Sequence, residues 1–165
     1  MYIVGAVTTA GVRPELEDDV ISQMGVDSMD EVKFFNRLQV KGRIVHSKAY
    51  KRVSVRNSYT ISYKDGDDTK YGQVEVFLLA SSPLEGSVKY AAVVLPFVEQ
   101  TGFVCPMHEV LNVFPVMHII GWNQPTTDQC VVVPVDHIKE ICVCMEFKDT
   151  GIVYIANFPN HIEKD

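Results

Sequence analysis

No stretch of this sequence stays apolar for the roughly 18–20 residues that a membrane-spanning helix requires, so no such helix is expected. No basic start leads into an apolar core and a small-residue cleavage site, the pattern of a secretory leader. Glycine-rich phosphate loops are missing, as is the Gly-x-Ser-x-Gly turn that presents a nucleophilic serine. Tryptophan occurs once, at Trp122, and cysteine four times, at Cys105, Cys130, Cys142 and Cys144. A chain of 165 residues can bury a core without disulfide staples. Reduced thiols in a nuclear or cytoplasmic protein are therefore the expectation.

Acidic side chains are absent from Val32 to Lys64, although the whole chain carries a net charge of −6. That stretch instead holds Lys33, Arg37, Lys41, Arg43, Lys48, Lys51, Arg52, Arg56 and Lys64. Residues 13 to 31 are the reverse, with Glu15, Glu17, Asp18, Asp19, Asp27, Asp30 and Glu31 against Arg13 alone. Such segregation shapes the local field whatever the total charge. Two uses compete: a solvated face neutralised by the acidic arm beside it, and a basic surface for an anionic ligand. Hydrophobic residues make up 47% and charged residues 22%, near the globular average, which excludes disorder of the whole chain.

Leu16, Val20, Ile21 and Met24 recur at helical spacing between Pro14 and Gly25, which predicts a short helix over 15–24. A second helical turn or two is expected from Asp27 to Phe35. From Arg52 to Lys64 the chain alternates. Val53, Val55, Tyr59, Ile61 and Tyr63 fall on one parity, and Arg52, Ser54, Arg56, Ser58, Thr60, Ser62 and Lys64 on the other. That is the pattern of a strand with one face in the core and one in water. Asp65-Gly66-Asp67-Asp68 has hairpin-turn chemistry, and a return strand over 70–80 would aim Val74, Val76 and Leu78 inward. Leu38 to Val45 reads as another strand, with Lys41 and Arg43 on the face opposite Val40 and Ile44. Basic residues would then line the outward faces of two neighbouring strands. Further strands are expected over 88–98, 110–122, 130–135, 140–147 and 152–158. Short strands at this spacing, with few helices, indicate a small barrel or sandwich.

Cys105-Pro106-Met107-His108 together with Cys142-Val143-Cys144 has zinc-ligand chemistry. Cys142 and Cys144 sit in an apolar run, however, where free cysteines pack as small hydrophobes. Core packing is the expectation, and no metal or other cofactor is assigned. His118 and His137 are expected as structural groups, and Tyr50, Tyr59 and Tyr63 as core residues. Trp122 divides evenly between core and recognition anchor. Two-metal catalysis needs several carboxylates brought together; here they are spread over the acidic segment and turns, so no catalytic residue is assigned and no enzyme is expected.

Tyr50-Lys51-Arg52-Val53, Arg56-Asn57-Ser58-Tyr59-Thr60, Tyr71-Gly72-Gln73-Val74 through Phe77, Pro134-Val135-Asp136-His137-Ile138 and Asn157-Phe158-Pro159-Asn160 form one set. This set resembles a module found C-terminal to transposase-like regions in large animal proteins, and the C-terminal β domain of plant CACTA-type transposons. The succession Tyr71-Gly72-Gln73-Val74-Glu75-Val76, Val93-Val94-Leu95-Pro96, then Val132 through Ile138 into Ile141-Cys142-Val143, is similar to that of bromo-adjacent-homology domains. Those are β barrels that bind chromatin proteins. The resemblances imply a DNA- or chromatin-associated accessory domain belonging to a longer parent chain.

Together these readings give a mainly β protein, a small antiparallel barrel with one or two short N-terminal helices. Residues 1–31 would form an acidic arm and 32–165 the barrel. The expected function is non-catalytic contact with nucleic-acid backbone or a chromatin protein through Lys41, Arg43, Lys48, Lys51, Arg52 and Arg56. The alternative is a protein-interaction or homo-oligomerisation module without nucleic-acid binding.

Overall fold

A computed structural model describes residues 2–8, 11–50, 58–81, 87–99, 119–123, 130–147 and 152–156. Strands β1 (Tyr2–Ile3) and β2 (Val7–Thr8) precede a 3-10 turn (Pro14–Leu16) and helix α1 (Glu17–Met24). Then come β3 (Val32–Phe35), β4 (Arg37–Val40), β5 (Arg43–His46), β6 (Thr60–Asp65), β7 (Asp68–Ser81), β8 (Val88–Pro96) and β9 (Val98–Glu99). β10 (Ile119–Asn123), β11 (Val131–Pro134), β12 (Ile138–Ile141), β13 (Val143–Phe147) and β14 (Ile152–Ala156) complete the order. The protein is mainly β, as the sequence indicates, and every strand pairing among the described residues is antiparallel. Among the described residues the strands do not close into a barrel; they form three sheets: a seven-stranded one built on β7, β1-β4-β5, and β13-β14-β10-β9. No helix among the described residues is long and apolar enough to cross a membrane.

β7 organises the large sheet because it is long enough to take two partners along one edge. Its first half pairs with β6 and its second half with β3, while β8 runs along the other edge. A bulge between Val74 and Val76 separates the halves. One extra residue reverses the side-chain parity of everything beyond it. Val74 therefore joins the core with Phe77, whereas Val76 and Leu78 join the core on the opposite face. All of these are buried, but they do not share a face as the uninterrupted alternation predicts. Gly72 precedes the bulge, where β8 comes very close. A Cβ there would meet Val94 Cγ1 at 2.5 Å and the Leu95 carbonyl oxygen at 2.6 Å.

Each face of the large sheet is covered. On one, Leu38, Val40 and Val45 of the three-stranded sheet pack against Ile61, Tyr63, Val74, Phe77, Val94 and Ile138. On the other, Leu16, Val20 and Met24 pack against Val76, Leu78, Ala80, Ala91 and Val93. Burying side chains of this size contributes about 1.5–3 kcal/mol each. The acidic segment is thus a core element through its apolar stripe, with Glu17, Asp18 and Asp19 exposed in the first helical turn. There they complement the helix dipole. At the other end, Lys89 Nζ of β8 reaches over Gly25, where α1 stops and has no basic residue of its own.

The expected second helix is a single 3-10 turn, Met29–Glu31, followed directly by β3. Val32 and Phe35 are buried by pairing with β7, a long-range gain that overrides local helical spacing. Thr60 and Ser62 correct a second expectation. Both are buried, as are Ile61 and Tyr63, so this part of the strand has no wet face. Residues 51–57, the remainder of that alternation, lie outside the described residues. The expected strand over 140–147 divides at Cys142, with β12 joining β6 and β13 joining β14.

Candidate functional site

Between β4 and β5, Lys41 and Gly42 have φ of 50° and 81°. Two consecutive residues at positive φ make the tight turn whose twist suits a two-residue hairpin. What reads in the sequence as one strand over 38–45 is this hairpin. Its register sets Val40 against Arg43, Leu38 against Val45, Gln39 against Ile44 and Arg37 against His46. Arg43 therefore shares the core-side face with Val40 and Val45, while Ile44 is 39% exposed on the outer face. The expected facing is reversed for Arg43 and Ile44, while Val40 faces inward as expected.

The hairpin and β12 frame a cleft. The His46 N–H donates to the Ser58 carbonyl (3.1 Å), and the Cys142 N–H to the Thr60 carbonyl (2.9 Å). Carbonyls two residues apart in extended chain point the same way, so both contacts fall on one edge of the β6 chain. From there β5 and β12 diverge around a space of about 170 Å³. Val40, Lys41, Arg43 and Val45 line one side, and Ile138, Lys139, Glu140 and Ile141 the other. Lys41 Nζ spans the cleft and donates to the Ile138 carbonyl at 3.0 Å. Lys139 donates to Thr69 Oγ1 on β7. Each ammonium has further N–H groups to offer, and Glu140 is the one carboxylate among the described residues that line the cleft. Near a protein surface, an anion about 4 Å from a cation gains roughly 1–4 kcal/mol. With three cations against one carboxylate, the balance favours an anionic occupant.

Lys48 lies elsewhere. Its main-chain N–H donates to the Val74 carbonyl at 2.7 Å, and its Nζ is 3.9 Å from Glu75 at the bulge. An ion pair this exposed contributes little. Lys51, Arg52 and Arg56 lie outside the described residues, as do Cys105, His108 and His118. The structure thus brings Lys41 and Arg43 together and adds Lys139, which sequence reasoning missed. Its only local signal is a cation beside buried Ile138, and its partners are far away in the chain.

On the outer face of the hairpin, Arg37 and His46 stand opposite each other and both contact Tyr50. The guanidinium carbon is 5.1 Å from the Tyr50 ring centroid, and the imidazole centroid 4.8 Å. His46 Nδ1 lies 2.9 Å from Ser58 Oγ. Burial, then the neighbouring Arg37 charge, lower the His46 pKa. Tyr50, expected in the core, is only half-buried. His137, expected as a structural group, is exposed, whereas Tyr63 is buried as expected.

Cys142 is buried with Tyr71, Phe97, Val153 and Ile155, and Cys144 packs against this cluster. Burial is the main cause that pushes the Cys142 thiol up to about 11. Trp122 sits on β10 opposite Val153. Among the described residues, no group of three His, Cys, Asp or Glu side chains is placed to hold a metal ion. No family model matches this chain, and neither does any curated protein or solved structure.

Proposed function

We propose that this protein is a non-catalytic interaction module that receives an acidic segment of a partner protein in the cleft between the hairpin and β12. The observation that carries this reading is the convergence of Lys41, Arg43 and Lys139 over buried Val40, Val45 and Ile138. An acidic side chain supplies both a methylene stem for that floor and a carboxylate for that rim. The small volume suits one such side chain, with flanking residues lying along the diverging strand edges. The likeness of strand order to bromo-adjacent-homology domains supports the same class of function. Fluorescence anisotropy with a labelled, glutamate-rich peptide tests it: Arg43→Glu should weaken binding at least about tenfold. Equal affinity for wild type and Arg43→Glu would remove the cleft as the site.

A second reading keeps the same cations but gives them nucleic-acid phosphates, in line with the transposon-type resemblance. It is favoured by Arg43, which has no ion-pair partner among the described residues. Contacts to phosphate need only exposed cations. The apolar floor adds nothing to such contacts, which is why the peptide reading stands first.

A further inference from the structure

The outer face of the β4–β5 hairpin carries a second constellation, separate from the cleft and built from Arg37, His46, Tyr50 and Ser58. Because the His46 N–H points to Ser58 and not to β4, Arg37 and His46 form a pair without mutual main-chain bonds. Side chains are closest at such positions. Tyr50 contacts both, so one ring holds the guanidinium and the imidazole together. A guanidinium held over a ring by a cation–π contact can still offer its terminal N–H donors to a planar or tetrahedral acceptor. Among the described residues Arg37 has no ion pair, and its buried Nε has no hydrogen-bond partner. Its charged neighbour is instead a second group able to become cationic. Among the described residues, Arg37 on β4 is the charged side chain facing His46, with Tyr50 and Ser58 completing the surround.

We propose that Arg37, His46 and Ser58, braced by Tyr50, bind a phosphate monoester. Such a group carries nearly two negative charges and three acceptor oxygens near neutral pH. It would take donors from the Arg37 guanidinium and from His46 as imidazolium. Protonated His46 donates from Nδ1 to Ser58 Oγ, which leaves the Ser58 hydroxyl proton for the ligand. The anion also separates the two like charges that otherwise oppose each other.

The test is a titration of the full chain with inorganic phosphate at low salt, following the His46 imidazole by NMR. A second arm uses a short peptide containing phosphoserine. A saturable shift with Kd below about 10 mM is expected in at least one arm, together with a rise in the His46 pKa. Stronger binding of the phosphopeptide assigns the phosphate to a protein side chain; equal binding assigns a free phosphate species. Arg37→Ala should lose at least about tenfold in affinity. If that variant does not fold, Arg37→Lys, which keeps the charge and not the planar fork, should lose at least about fivefold. Lys139→Glu, in the cleft, should leave the binding within about twofold. Chloride at equal ionic strength producing the same shift, no binding in either arm, or loss with Lys139→Glu but not with the Arg37 variants would each overturn the proposal.

Discussion

Lys41 Nζ donates to the Ile138 carbonyl across 3.0 Å, joining residues 97 positions apart. That bond bridges the cleft between β5 and β12 from the hairpin tip. The residue meets two demands at once, since Lys41 also holds φ at 50° in the turn. Non-glycine residues at such angles carry strain, which asparagine bears best and β-branched residues worst. Lys41→Asn should therefore change stability by less than about 1 kcal/mol, losing the bridge and easing the turn. Lys41→Val should cost roughly 1–3 kcal/mol. Urea unfolding midpoints at constant m-value measure both, and equal costs would remove the turn strain from the account.

The alternation from Arg52 to Lys64 marks extended chain correctly where residues are described, at Thr60–Asp65. It cannot report what covers the polar parity. Thr60 is buried because Cys142, eighty-two residues later in the numbering, bonds its carbonyl and packs beside β6. In the same way Val74 and Val76 look equivalent until the bulge is known. The cleft was half legible. The basic run contains Lys41 and Arg43, but Lys139 joins them only through the pairing of β12 with β6. Local pattern reports parity; long-range pairing decides which side is inside.

Thr60 and Ile44 give that difference a measurable form. The sequence pattern makes Thr60 a surface position and Ile44 an inward one; the structure reverses them, at 0% and 39% exposure. Thr60→Ala should destabilise by about 1–3 kcal/mol through packing lost at a fully buried position. Ile44→Ala should cost under about 0.5 kcal/mol, as surface changes do. The opposite ranking in denaturant titrations would mean that β6 faces water.

Alkaline pH should weaken the fold. The Cys142 thiol is raised from 9.0 to about 11, chiefly by burial, and Tyr63 from 10.0 to about 12 for the same reason. Both groups keep their protons longer in the folded state than in the unfolded one. Their contribution is complete below pH 9 and declines as pH rises towards the folded values, because the unfolded chain binds fewer protons there. For Cys142 the loss should reach roughly 2–3 kcal/mol near pH 11. Cys142→Ala lowers stability at pH 8 by leaving a small void, but should flatten the decline between pH 9 and 11. An equally steep decline in that variant would show that another group governs it.

The cleft makes a set of predictions that separate its two candidate partners. The full chain must be used, because Leu16, Val20 and Met24 cover one face of the large sheet and deleting residues 1–31 would expose it. At low salt, a glutamate-rich peptide should bind, and Lys139→Glu should weaken it at least about tenfold, matching Arg43→Glu. Glu140→Gln should strengthen it severalfold, since that change removes the one carboxylate among the described residues that line the cleft. Lys48→Glu should have little effect, because Lys48 lies at the bulge beside Glu75. Duplex DNA is the discriminating probe. If three cations engaged phosphates, log K would fall with log salt at a slope of roughly −2 to −3. Duplex binding with that slope and no peptide binding would transfer the cleft to the nucleic-acid reading. Binding of neither probe to the full chain at low salt would end both readings, because each depends on Lys41, Arg43 and Lys139 being available to an anion.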